Sequence, residues 1–163
     1  MPTKKQNNQT MRFFVPGVPA TAGSKSYKGR SSKTGRAIIV DSDKRSRPWK
    51  DSIIASFLAD QKEHGWVIYP PKTALQVQFE FYLPRPKGHY GSGKNEGMLK
   101  ERFKYARHTV KPDVLKLARC AEDALTGFAY HDDADTVSLI LWKRYADPEF
   151  GRHAGVQVTI RAV

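Results

Sequence analysis

The chain has 163 residues, 39% of them hydrophobic, which is enough for one packed domain and too short for two comfortable ones. Lys and Arg number 28 against 16 Asp and Glu, a formal net charge of +12, so the expected partner is a polyanion held mainly by charge, nucleic acid first. Cys120 is the only cysteine, which excludes an internal disulfide and any zinc cage of two or more thiolates. No stretch reaches the roughly 18 apolar residues of a membrane span and no charged-then-apolar leader opens the sequence, so a soluble cytoplasmic protein without a membrane partner is expected.

Residues 1–10 are polar with nothing to bury and are expected to form a disordered tail ahead of a domain at 11–163. Met11 to Val15 predicts a strand, stopped by Pro16, Gly17 and Pro19. Ala37 to Val40 predicts another after a Gly/Ser/Lys-rich loop, and the two are expected to pair around it. A helix is predicted from Ser46, as cap, to about Glu63, ending at Gly65: Pro48 sits early and Trp49, Ile53, Ile54, Phe57 and Leu58 recur at helical spacing.

Leu75, Val77, Phe79 and Phe81 alternate with Gln76, Gln78, Glu80 and Tyr82, the period of a strand with one buried face. Residues 84–108 lose that periodicity and carry Pro84, Pro86, Gly88, Gly91, Gly93 and Gly97, which predicts a long mobile loop. A second helix fits Val114 to Leu125, a strand fits Thr136 to Tyr145, and Val156, Val158 and Ile160 alternate into a last strand. The expected fold is single-domain α+β, a mixed or antiparallel sheet against two main helices, in the order ββαβ, loop, αββ.

On a wheel at 100° per residue, Val114, Leu117, Ala118, Ala121, Ala124 and Leu125 form one apolar stripe of the second helix. The opposite arc holds Lys116, Arg119, Glu122, Asp123 and, out of pattern, Leu115. An isolated exposed leucine is ordinary, and an aspartate at a helix start, as Asp113 is, commonly just caps the helix. The competing reading comes from the cluster Asp132, Asp133 and Asp135 ahead of the next strand. If the chain returns that cluster to the helix start, its carboxylates offer the oxygen ligands a hard divalent cation needs.

The segment KPDVLKLARCAEDALTG followed by HDDADTV resembles the RusA-type Holliday junction resolvases, which read Lys-Pro-Asp-x-Asp-Asn-Leu-x-Lys, then Asp-Ala-Leu, then a paired Asp-Asp leading into a strand. Weaker likeness extends to Val15 through Pro19 and to Trp49-Lys50. The resemblance implies a Mg²⁺-dependent endodeoxyribonuclease, with Mn²⁺ as a possible substitute, that cuts four-way or branched DNA as a homodimer. It implies Asp113 and Asp133 as metal ligands, Asp132 as a supporting carboxylate, and Arg119 with Lys116 as the cations beside the phosphate. The family's second aspartate falls on Leu115, which offers no oxygen, so either hydrolysis is impaired or the chain is a non-catalytic junction-binding protein that keeps the fold.

Two segments concentrate positive charge. Residues 24–50 include Lys25, Lys28, Arg30, Lys33, Arg36, Arg45 and Arg47, and residues 85–111 include Lys87, Lys94, Lys100, Arg102, Lys104, Arg107 and Lys111. Together they hold seventeen cations against four acids, which suits phosphate contacts, with Tyr27, Tyr90, Phe103 and Tyr105 available for base stacking. His89, His108 and His131 are not assigned to the metal.

Overall fold

The computed structural model of the chain describes residues 9–163. A four-stranded mixed sheet, in the order β1-β6-β4-β5, is built from β1 (Thr10–Pro16), β4 (Leu75–Leu83), β5 (Thr136–Tyr145) and β6 (Gly155–Ala162). Helices α1 (Ser46–His64) and α2 (Val114–Leu125) share one core with a single face of that sheet. The α+β class with two helices is as expected.

Alternation decides which face is covered. In β4, Leu75, Val77, Phe79, Phe81 and Leu83 are buried under the helices, while Gln76, Gln78, Glu80 and Tyr82 form the opposite, polar face. That polar face satisfies itself: Gln78 donates to Glu80 at 2.7 Å, the Tyr82 hydroxyl donates to Glu80 at 2.9 Å, and Arg161 donates to Gln76 at 2.9 Å. β4 and β5 run parallel, joined by the crossover that contains α2, and the other pairings are antiparallel.

Four expectations change. Residues 1–8 of the anticipated tail lie outside the described residues, but Thr10 already belongs to β1, paired with Arg161. β1 pairs with β6, not with the strand at Ala37, because the central sheet is completed by bringing the ends of the chain together. The strand β3 (Ala37–Asp41) pairs instead with β2 (Lys25–Arg30), so residues 25–41 of the first basic segment form a two-stranded ribbon. β2 carries no apolar alternation and rests on its ladder and the Lys25–Asp41 ion pair at 2.7 Å. Ser46 does not cap α1: Arg45 is the N-cap residue, and buried Ser46 meets Cys120 of α2, Oγ to Sγ 3.6 Å. The helix does end at Gly65, whose φ of 66° is the left-handed geometry glycine allows.

The segment 84–112 is a pinned strap of short 3₁₀ turns. The Arg85 side chain, 2% exposed, grips Asp147 through Nε at 2.8 Å and Nη2 at 3.2 Å, and donates to the Phe103 carbonyl at 2.9 Å. The His89 ring stacks on Phe103 at 4.0 Å, and buried His108 lies 4.5 Å from the Tyr145 ring. Next to α2, the Lys143 ammonium donates to the carbonyls of Val110 and Pro112, each at 2.7 Å. Burial followed by the charge of Arg85 lowers the pKa of His89, and burial followed by Lys143 lowers that of His108.

Asp147→Asn leaves the Arg85 guanidinium buried without its counter-charge, and is expected to cost about 3 kcal/mol in urea unfolding and to open 84–112 to limited proteolysis. An unchanged urea midpoint would refute the clasp. Because the fold favours the neutral form of both histidines, their stabilisation is complete above the unfolded value near 6.5 and is lost as pH falls through their lower folded values. Stability should therefore drop between pH 7.5 and 5.5, and less so in His108→Gln.

Candidate active site on the second helix

The seating of α2 fixes which side chains face outward. Leu117, Ala118, Cys120, Ala121, Ala124 and Leu125 are buried, a stripe that adds Cys120 to the predicted set. Lys50 of α1 pairs with Asp123 at 3.1 Å across the rim of the two helices.

A loop at residues 20–24 lies over the start of the helix. The amide of Ala22 donates to the Lys116 carbonyl at 3.0 Å, and the Lys116 ammonium donates to Ser24 Oγ at 2.8 Å. Gly23, at φ 93°, leaves room for the Arg119 stem, since a Cβ there would stand 3.0 Å from Arg119 Cδ. Asp43 anchors the loop by accepting from Thr21 N and Oγ1, each at 3.2 Å, and from the amide and guanidinium of Arg45. These bonds, Arg45 first, hold the Asp43 carboxyl down at about 2.

The loop, the outer face of α2 and Leu139 enclose a cavity of about 300 Å³ lined by Gly23, Leu115, Lys116, Arg119 and Glu122. Leu115, 65% exposed, stands at this cavity, on the polar arc where the wheel puts it. Glu122 was only a member of that arc in the sequence. Here it is half-buried, and burial followed by the nearby charges of Asp133 and Asp123 raises its pKa, with Arg119 opposing. Its i+3 spacing from Arg119 and i+7 from Leu115 was the available signal.

Asp113 is the N-cap residue of α2: its Oδ1 accepts from the Leu115 amide at 2.8 Å. Asp132 caps the next turn, accepting from the Ala134 amide at 2.9 Å, and Asp135 accepts from the Lys72 amide at 3.1 Å. The Ala134 amide and contact with Asp133 hold the Asp132 carboxyl below its ordinary range. The charge of Asp133 acts on Glu122, and Asp113 shares a groove of about 490 Å³ with Lys111, Lys116 and Lys143 at the helix start. Along the axis, nine residues at 1.5 Å each separate Asp113 from Glu122 by about 13 Å.

All these donors are oxygens, the chemistry a hard cation accepts, and one or two carboxylates suffice for Mg²⁺ when water and substrate phosphate complete the shell. Asp113, Asp132 and Asp133 do not form a trio with ligand atoms within 4.8 Å. Among the described residues that arrangement occurs at Asp60, Glu63 and His64, on the last turns of α1 and away from this site. The donor set fits a site completed by its substrate rather than one assembled beforehand.

The predicted DNA-contact cations divide. Lys25, Arg45 and Lys104 sit in ion pairs, Lys100 donates to the Gly88 carbonyl, Arg30 donates to the Gly35 carbonyl, and Arg102 covers the Phe103 ring. Lys28, Lys33, Arg36, Arg47, Lys87, Lys94, Arg107 and Lys111 are exposed and form no ion pair among the described residues. Tyr27 and Tyr105 are exposed, while Phe103 is already stacked on His89. No helix among the described residues is long and apolar enough to cross a membrane.

Asp113→Ala removes the cap and should destabilise the fold by about 1 kcal/mol, while Asp113→Asn, itself a good cap, should cost a few tenths or less. Thermal unfolding of both variants separates capping from any role in binding, and equal losses would contradict the assigned cap.

Comparison with known proteins agrees with this architecture. The chain is 26% identical over 153 residues to the uncharacterized protein YqaN of Bacillus subtilis (strain 168), covering 94% of this chain and 96% of that one. The family model for endodeoxyribonuclease RusA matches residues 16–161, nearly the whole described domain, and the chain belongs to the RusA endodeoxyribonuclease family.

Proposed function

We propose that the chain acts on four-way or otherwise branched DNA as a structure-selective endodeoxyribonuclease dependent on Mg²⁺, or Mn²⁺ in its place, with hydrolysis weakened by Leu115. Family membership supports the nuclease class. The observation that carries the weakening is Leu115 itself: an apolar side chain stands at the cavity it shares with Arg119 and Glu122, while its amide donates to Asp113.

Asp113, Asp132 and Asp133 are the residues that would hold the ion, with Leu115 contributing no oxygen. A bound divalent ion supplies a more acidic water and charge neutralisation at the scissile phosphate. Lys116, braced by Ser24, and Arg119, laid against Gly23, present positive charge to a phosphate at the same opening. Arg119 stays protonated and acts as an electrostatic group, not as a proton donor. Cutting a two-fold symmetric junction on two strands calls for two such openings, which a symmetric homodimer provides.

A second reading, a non-catalytic junction-binding protein, is favoured by the same leucine and by the absence of an assembled carboxylate trio at this site among the described residues. Cleavage of an immobile four-way junction separates the two. Leu115→Asp should raise Mg²⁺-dependent cleavage at least tenfold and Asp133→Asn should abolish it, while metal-free binding stays within about twofold in both. No gain from Leu115→Asp would decide for the binding protein.

A further inference from the structure

Where β5 ends, at a place lined by neither Leu115 nor Glu122, an open cavity of about 160 Å³ is enclosed by the strap and the strand end. Its charged walls are Lys104 and Arg107 from the strap, Lys143 and Arg144 from β5, Arg152 beyond it, and the Arg85–Asp147 pair, which neutralises itself. The guanidiniums of Arg107, Arg144 and Arg152 have no carboxylate partner among the described residues. Arg144 lies over the Trp142 ring at 4.5 Å, and its Nε is buried without a hydrogen-bond partner. His108, 8% exposed, also lines the cavity, and its Nδ1 is likewise buried and unpartnered.

Arg107 and Arg152 are exposed, so their donors are open to an incoming acceptor. Three planar guanidinium forks with unspent donors match the oxygens of a phosphate better than any neutral ligand does. The cavity is also connected to the site on α2. Lys143 lines both this cavity and the groove that contains Lys111, Asp113 and Lys116, and Lys116 in turn lines the cavity of Arg119. Lys143 and Lys116 thus link the three cavities, with Asp113 beside them at the start of α2.

We propose that this cavity is a phosphodiester-binding subsite that seats one backbone phosphate, or two adjacent ones, of the nucleic-acid strand whose neighbouring phosphates pass over the start of α2. The strand assignment rests on the nuclease reading above, whereas the anion chemistry of the cavity does not. In the sequence Lys104 and Arg107 are legible as loop cations, while Lys143, Arg144 and Arg152 lie outside both basic segments.

Two measurements test the subsite. The first is junction binding in EDTA across a salt series, comparing wild type with Arg107→Gln/Arg144→Gln/Arg152→Gln. The slope of log K against log salt is expected to fall by about one for each phosphate that is no longer neutralised, one to two in all. Affinity at 100 mM salt should fall about tenfold or more. The second is the NMR signal of the His108 ring during titration with inorganic phosphate, expected to shift in wild type and not in the triple variant. The single variant Arg152→Glu, an exposed position, repeats both measurements should the triple variant fold poorly. A triple variant with unchanged slope and affinity overturns the subsite and leaves the nuclease reading intact. Wild-type protein that binds no junction while His108 still answers phosphate overturns the nuclease reading and supports the anion pocket. A His108 signal indifferent to phosphate counts against the pocket itself.

Discussion

The site depends on how α2 is seated. Burying Leu117 and Leu125 is worth about 1.5–3 kcal/mol each, several times an exposed ion pair such as Lys50–Asp123. Packing therefore sets where the helix lies, and the ion pair tunes its register against α1. The small side chains Ala118, Cys120, Ala121 and Ala124 let neighbouring backbone approach, and Ser46 touches Cys120 for that reason. Once those residues face inward, Lys116, Arg119 and Glu122 have no choice but the outer cavity, and the 20–24 loop closes over them through Lys116 and Gly23.

What the sequence made legible was local. β4 and α2 announce themselves because alternation and a helical stripe are read within a few residues, and Thr136 to Tyr145 follows for the same reason. Pairing of β1 with β6 was hidden because nothing in either strand names its partner. β2 was hidden because it buries no apolar face. Arg85 reads as one more loop cation, and only the fold reveals a partner 62 positions away. Lys143 left a faint signal: it occupies the row of Leu139, Leu141 and Tyr145, where an apolar residue is the norm. Two resemblance motifs, Trp49-Lys50 and Asp123-Ala124-Leu125, prove to be physical partners through the Lys50–Asp123 pair.

The aspartates at the two turns show the capping reading directly. Asp113 caps α2 and Asp132 caps the following turn, which is the ordinary use of such residues, and each retains a second carboxylate oxygen. Leu115 is tied to the cap through its amide, so its side chain is free to vary without loosening the helix start. The side chain at position 115 is thus neutral for folding, whatever it offers to the cavity it lines.

The Arg85–Asp147 clasp also changes the thermodynamics of recognition. Fixing one residue's backbone costs about 1–2 kcal/mol, and a micromolar complex releases only about 8 kcal/mol in total. Freezing even a handful of strap residues at the moment of encounter would consume that whole sum. Here the cost is met once, during folding, by a buried ion pair and ring stacking, so the cationic groups of the strap wait in place and an anion meeting them would lose little affinity to their ordering.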